Sequence, residues 1–246
     1  MKHLIGSTLL RSLGTGLCLT FASVTGHSAF LTIDLPGSES QDNWSAMTAA
    51  NYPGYPAYAT TANAWPTPIG STSGGDLLLN KTSGVGFPSN GGGIYVGGIT
   101  TGTGNYAVYT PAAGALMSIE TIVFQIEIQG VGSNYANAVN GVNLDYNGGN
   151  QSLAAGQVSL VSAVDTGEVQ GSPSYLFTVA YQWDLTSVEL TQFSLGWTAA
   201  QNTVTSALQV NQGDTMVNAI PEPSTWGLIG VAAVAIAWTL RRRHRA

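Results

Sequence analysis

Five aromatic side chains, Trp44, Tyr52, Tyr55, Tyr58 and Trp65, gather in one polar stretch and are the residues best suited to hold a ligand. Flat apolar rings stack against the C–H faces of sugars, while tyrosine hydroxyls and nearby Asn and Asp side chains supply hydrogen bonds. Pro53 and Pro56 would stiffen the presentation of these rings by fixing φ. The competing reading packs the same rings over the fold as a lid that shields apolar surface. A second group, Asp145, Asn147 and Asn150, lies in Asp-Tyr-Asn-Gly-Gly-Asn and offers oxygens to a calcium ion. Calcium takes about six to eight oxygens, and an EF-hand needs an acid at its twelfth loop position, where this chain has Gly156. An EF-hand is therefore excluded, and an Asx-rich hairpin turn competes with weak calcium binding. Calcium is the one cofactor these residues bring into view.

The remaining chemistry is narrow. Residues 30–220 contain no His, no Cys and no Arg, and Lys81 is their single cation. Serine or cysteine triads of the usual kind and ordinary zinc sites need residue types that are missing. Clamping a phosphate or carboxylate needs more cationic side chains than one Lys. Against Lys81 stand 12 Asp and Glu, a formal net charge of −11 for this stretch. Such a charge opposes nucleic acid and anionic lipid. Glycoside hydrolysis needs only two carboxylates and is the one enzyme class left open. Glu120 and Glu127 are seven residues apart on one predicted strand, an odd spacing that sends them to opposite faces. Asp184 and Glu189 flank a turn and are expected in solvent, and no Glu-x-Asp-x-x-Glu cluster occurs. A non-catalytic protein is expected. Asn43, Asn80 and Asn150 each begin a glycosylation sequon, a motif of little weight by itself.

The elements that must position these residues read as short strands. Ile122, Phe124, Ile126 and Ile128 alternate with Thr121, Val123, Gln125, Glu127 and Gln129. Tyr175, Phe177, Val179, Tyr181 and Trp183 repeat the period of two, as do Phe193, Leu195 and Trp197, and then Val204, Leu208 and Val210. Each such strand presents one apolar face to a core. Further strands are predicted at 30–35, 76–79, 94–98, 106–110, 141–146 and 158–164. Residues 36–75 show little alternation and read as a long loop, and 84–104 as a glycine-rich connector broken by Ile94-Tyr95-Val96. With Gly and Asn turns and no helical pattern in this part of the chain, the expected fold is all-β, an antiparallel β-sandwich of jelly-roll or lectin-like form.

Both ends read as export labels. Lys2 and Arg11 precede an apolar run at 13–24 and small residues at Ser23, Gly26, Ser28 and Ala29, the order of a secretory signal. A signal peptide over 1–29 is expected, with Gly26 as the alternative cut, and Cys18 is lost with it. At the other end Pro221-Glu222-Pro223 leads into an uncharged run, then Arg241, Arg242, Arg243, His244 and Arg245. The 15 residues from Trp226 to Leu240 make roughly 22 Å of helix at about 1.5 Å per residue. A hydrocarbon core is about 30 Å thick, so this single transmembrane helix is short. Trp226 and Trp238 at the interfaces and snorkelling arginines extend it, and the arginines place the tail in the cytoplasm. The chain thus divides into signal (1–29), ectodomain (30–219) and tail (220–246).

The Pro221-Glu222-Pro223 signature, the apolar span and the basic end, in that fixed order, resemble a PEP-CTERM sorting domain over about the last 26 residues. The resemblance implies recognition by an exosortase, an inner-membrane transpeptidase-like enzyme that cuts near Pro221-Glu222-Pro223 and passes the protein to the cell surface or matrix. It also implies a Gram-negative bacterium that makes exopolysaccharide and biofilm, with a transient inner-membrane stage. Exosortase and exopolysaccharide are the partners so implied. The stretch from Tyr181 to Val210 further resembles the C-terminal half of lectin-like cargo sandwiches of such proteins.

Overall fold

The computed structural model describes residues 30–55, 64–97, 101–111 and 118–220. The expected signal at 1–29, Tyr58, and the motif, apolar run and arginines at 221–246 lie outside the described residues.

Two antiparallel sheets pack as a sandwich. The seven-stranded sheet runs in the order β10 (Gln157–Val169), β11 (Ser172–Asp184), β7 (Thr121–Val131), β13 (Thr203–Gly213), β5 (Ile94–Val96) and β4 (Phe87–Pro88), with β1 (Glu39–Trp44) also paired to β13. The six-stranded sheet runs β2 (Ile69–Gly70), β3 (Leu78–Gly84), β6 (Gly104–Tyr109), β12 (Phe193–Ala199), β8 (Val139–Tyr146) and β9 (Gln151–Ala154). Among the described residues the helical content is one turn of 3-10 helix, Tyr135–Asn137. No described helix is long and apolar enough to cross a membrane.

The period-two residues fill the space between the sheets. Ile122, Phe124, Ile126 and Ile128 of β7 and Phe177, Val179, Tyr181 and Trp183 of β11 face Tyr106 and Val108 of β6 and Leu195 and Trp197 of β12. Each such side chain contributes about 1.5–3 kcal/mol by leaving water. Rings link the two layers: Tyr106 stacks on Trp197 at 5.5 Å, Trp197 meets Phe124 at 5.4 Å, and Phe124 meets Tyr181 at 6.1 Å between centroids.

Two expectations are corrected. Residues 30–35 form no strand; they lie across the outer face of the seven-stranded sheet as an extended strap. Their backbone is held by a side chain: Gln125 Oε1 accepts from Leu31 N at 2.8 Å, and Gln125 Nε2 donates to Leu31 O at 3.0 Å. The expected loop at 36–75 contains β1 and β2. Glu-Ser-Gln-Asp-Asn-Trp hides its strand character because one of its two fully buried residues is Asp42, the other being Trp44. Ile220 is 2 % exposed and packs with Ile33, Leu35, Val123 and Ala180.

Candidate functional site

Four of the five rings, Trp44, Tyr52, Tyr55 and Trp65, are among the described residues, and they pack in or against the core. Trp44 is 0 % and Trp65 4 % exposed, both within the main core. Their indole nitrogens donate to Ile69 O at 3.1 Å and Gly86 O at 3.3 Å. Tyr52 and Tyr55 pack against that core partly buried, edge-on at 5.5 Å, and Tyr55 meets Trp65 edge-on at 5.0 Å. Tyr55 Oη donates to Thr67 O at 2.7 Å. Trp65 continues to Tyr106 at 5.8 Å, so the rings extend the core column outward. Both indole rings are thus enclosed within the core.

The Asp145–Asn150 segment closes the hairpin between β8 and β9. Asn147, Gly148 and Gly149 take φ of 48°, 90° and 79°, the left-handed region that Asn and Gly tolerate. Asn147 is committed to the fold: its Oδ1 accepts from Thr191 N at 2.9 Å and Thr191 Oγ1 at 3.0 Å, and its Nδ2 donates to Glu189 O. Asp145 Oδ1 accepts from Asn143 Nδ2 at 2.7 Å. Asn150 is exposed. Among the described residues no group of three or more His, Cys, Asp or Glu converges as a metal site.

Beside this turn lies an open groove of about 390 Å³ lined by Tyr109, Thr110, Asp145, Tyr146, Gln192 and Ser194, with Gly148, Gly149 and Phe193 completing it. Strand register builds it: Tyr109 of β6, Ser194 of β12 and Asp145 of β8 stand side by side on the outer face of the six-stranded sheet. The face continues as a polar ladder, in which Asn143 Nδ2 donates to Ser152 Oγ at 3.1 Å and Thr198 Oγ1 to Asn105 Oδ1 at 2.8 Å. Aromatic, amide, hydroxyl and carboxylate groups therefore share one accessible surface. Sequence reasoning did not single out Tyr109 or Ser194 as site residues; the available signal was their phase, opposite to the apolar residues of β6 and β12.

Asp184 and Glu127 are engaged within the fold. Asp184 Oδ1 accepts from Thr186 N at 3.0 Å and Thr186 Oγ1 at 2.8 Å, bonds that hold its pKa below the ordinary value. Glu127 Oε1 accepts from Ser206 Oγ at 2.6 Å. Lys81, 1 % exposed, donates from Nζ to Gly84 O at 3.0 Å, and burial lowers its pKa.

The outer face of the seven-stranded sheet differs in being covered over its middle strands, β7 and β11. The strap at 30–35 crosses it, and a second strap at 214–220 lies alongside. Met216 N donates to Glu120 Oε2 at 3.1 Å, and Val217 N to Thr121 Oγ1 at 3.3 Å. Gln182 Nε2 donates to Val217 O, and Gln182 Oε1 accepts from Ala219 N at 2.9 Å and Ile220 N at 3.1 Å. The straps join at one corner, where Ser38 N donates to Asp214 Oδ1 at 3.0 Å. Directly after the second strap come Pro221, Glu222 and Pro223, and residues 219–243 match the PEP-CTERM protein-sorting motif.

The tail is an exosortase sorting signal. The PEP-CTERM match begins at Ala219, so its first two residues belong to the docked strap. PEP-CTERM sorting makes the chain an exported protein processed by exosortase. It implies delivery to the cell surface. No curated protein and no solved structure matches the chain.

Proposed function

We propose that the chain is a non-catalytic protein of the cell surface or exopolysaccharide matrix of a Gram-negative bacterium. In this reading it passes through the inner membrane on its tail helix and contacts polysaccharide through the groove at Tyr109. The observation that carries the reading is the asymmetry of the two faces. One sheet is partly covered by the segments that adjoin the two export labels, while the other lines a groove with half-buried Tyr109, Asp145, Gln192 and Ser194. A partly exposed tyrosine beside amides and hydroxyls supplies the stacking and hydrogen bonds a sugar chain requires. The two-sheet form suits the jelly-roll or lectin-like cargo that the sequence from Tyr181 to Val210 resembles. The carbohydrate-binding reading thus moves from the buried tryptophans to this groove. Catalysis finds less support, because the groove is lined by a single carboxylate, Asp145, where glycoside hydrolysis needs two. The test is retention of the processed protein on polysaccharide purified from its own host. Retention is expected for the wild type and should fall several-fold for Tyr109→Ala; equal retention of the two would remove the groove from the function.

A further inference from the structure

We propose that residues 214–220 form a latch that must leave the sheet before the sorting enzyme can cut the tail. The fold itself then sets the rate of processing. This inference rests on exosortase processing of the tail and adds a regulatory role for the domain.

The latch is held by side chains rather than by a strand ladder. Glu120 and Thr121 hold its first half, and the single amide of Gln182 holds three backbone groups of its second half. Gln182 is 2 % exposed, so its amide depends on the strap for its hydrogen bonds, as the strap depends on it. Ile220 closes a small core with Ile33 and Leu35 from the N-terminal strap and Val123 and Ala180 from the sheet. The latch therefore needs both straps in place, and Leu31, the first residue held, lies two positions beyond the expected cut after Ala29.

No spacer separates this latch from the signal. Pro221 follows a residue that is 2 % exposed. An enzyme that reads a chain binds it extended, using backbone groups on both sides of the bond it cuts. The amides of Ala219 and Ile220 are occupied while Gln182 holds them. Cleavage then draws on the fraction of molecules whose strap has opened locally, and its rate follows that fraction when reclosing is fast.

A pulse-chase of the full-length protein in a host that carries the sorting enzyme tests this, reading loss of the arginine-bearing tail by mass. Gln182→Ala and Ile33→Ser loosen the latch from different sides and should each speed processing about five- to tenfold. Because either variant can also disturb folding, a six-residue Gly-Ser spacer inserted between Ile220 and Pro221 leaves every contact of the fold intact. The spacer should give a similar acceleration, and adding Gln182→Ala to it should change nothing further. Unchanged or slower processing of the spacer variant, beside a processed wild type, would overturn the latch. So would a further acceleration by Gln182→Ala on the spacer background. A wild type that never loses its tail would instead sink the sorting reading on which the latch rests.

Discussion

Leu35 lies flat against Gly213: a Cβ placed on that glycine would come within 2.9 Å of Leu35 Cδ1 and 3.0 Å of its Cβ. Gly213 ends β13 beside Thr121 of β7, so the missing side chain is what lets the N-terminal strap touch the sheet. Gly213→Ala should lower stability by about 1–3 kcal/mol through overpacking, and a thermal melt checks it. An unchanged melting temperature would mean that Leu35 does not rest on this strand.

The tryptophans and the groove tyrosine separate packing from binding. Trp44→Ala and Trp65→Ala should each cost about 3–5 kcal/mol in denaturant unfolding, the usual result of emptying a buried aromatic site. Retention on host polysaccharide, counted per folded molecule, should stay as it was. Tyr109→Ala should do the reverse, losing retention while keeping its melting temperature.

Asp42 makes stability depend on pH in an unusual sense for a carboxylate. Burial holds its pKa above the ordinary value; hydrogen bonds from Leu77 N and Ser71 oppose the shift, and repulsion from Asp76 adds to it. A carboxyl raised on folding favours the folded state fully below its unfolded pKa of about 3.8, and that contribution disappears as pH rises through the folded pKa. Measured against Asp42→Asn, which does not titrate, the wild type should therefore gain melting temperature as pH falls from 7 toward 4. A difference that stays constant, or runs the other way, would show that Asp42 is not desolvated.

Lys81 gives a chemical readout of the same core. It is the single Lys of residues 30–220 and is 1 % exposed. An amine-reactive ester should label the processed native protein at its α-amine alone, and Lys81 only after unfolding. Mass analysis of the labelled peptides distinguishes the two, and rapid native labelling of Lys81 would contradict its burial.

The strands with strict alternation were legible because each has one apolar face. Their outer faces were not. Gln125, Glu127 and Gln182 read as solvent-facing polar residues, yet they are 0 %, 4 % and 2 % exposed. Gln125 and Gln182 are held under chain segments from both ends of the domain and Glu127 meets Ser206 of β13, contacts that no periodicity within β7 or β11 encodes. The strap at 30–35 misled in the opposite direction: Leu31, Ile33 and Leu35 alternate as a strand does, but their backbone is satisfied by Gln125 and by Glu39, whose Oε2 accepts from Leu35 N at 3.4 Å. β1 was missed because Asp42 occupies an inward position, where it accepts from Leu77 N at 3.1 Å and pins the loop beside β3. At the site, the aromatic residues closest in sequence went into the core, whereas Tyr109, Ser194 and Asp145 meet only through the register of three distant strands.

The most direct measurement is the intact mass of the protein recovered from extracellular material of its host. A product that begins near Phe30 and lacks Arg241, Arg242, Arg243 and Arg245 is the expected result. Recovery of the full 246-residue chain, arginines included, from the cytoplasm alone would contradict export through the PEP-CTERM tail.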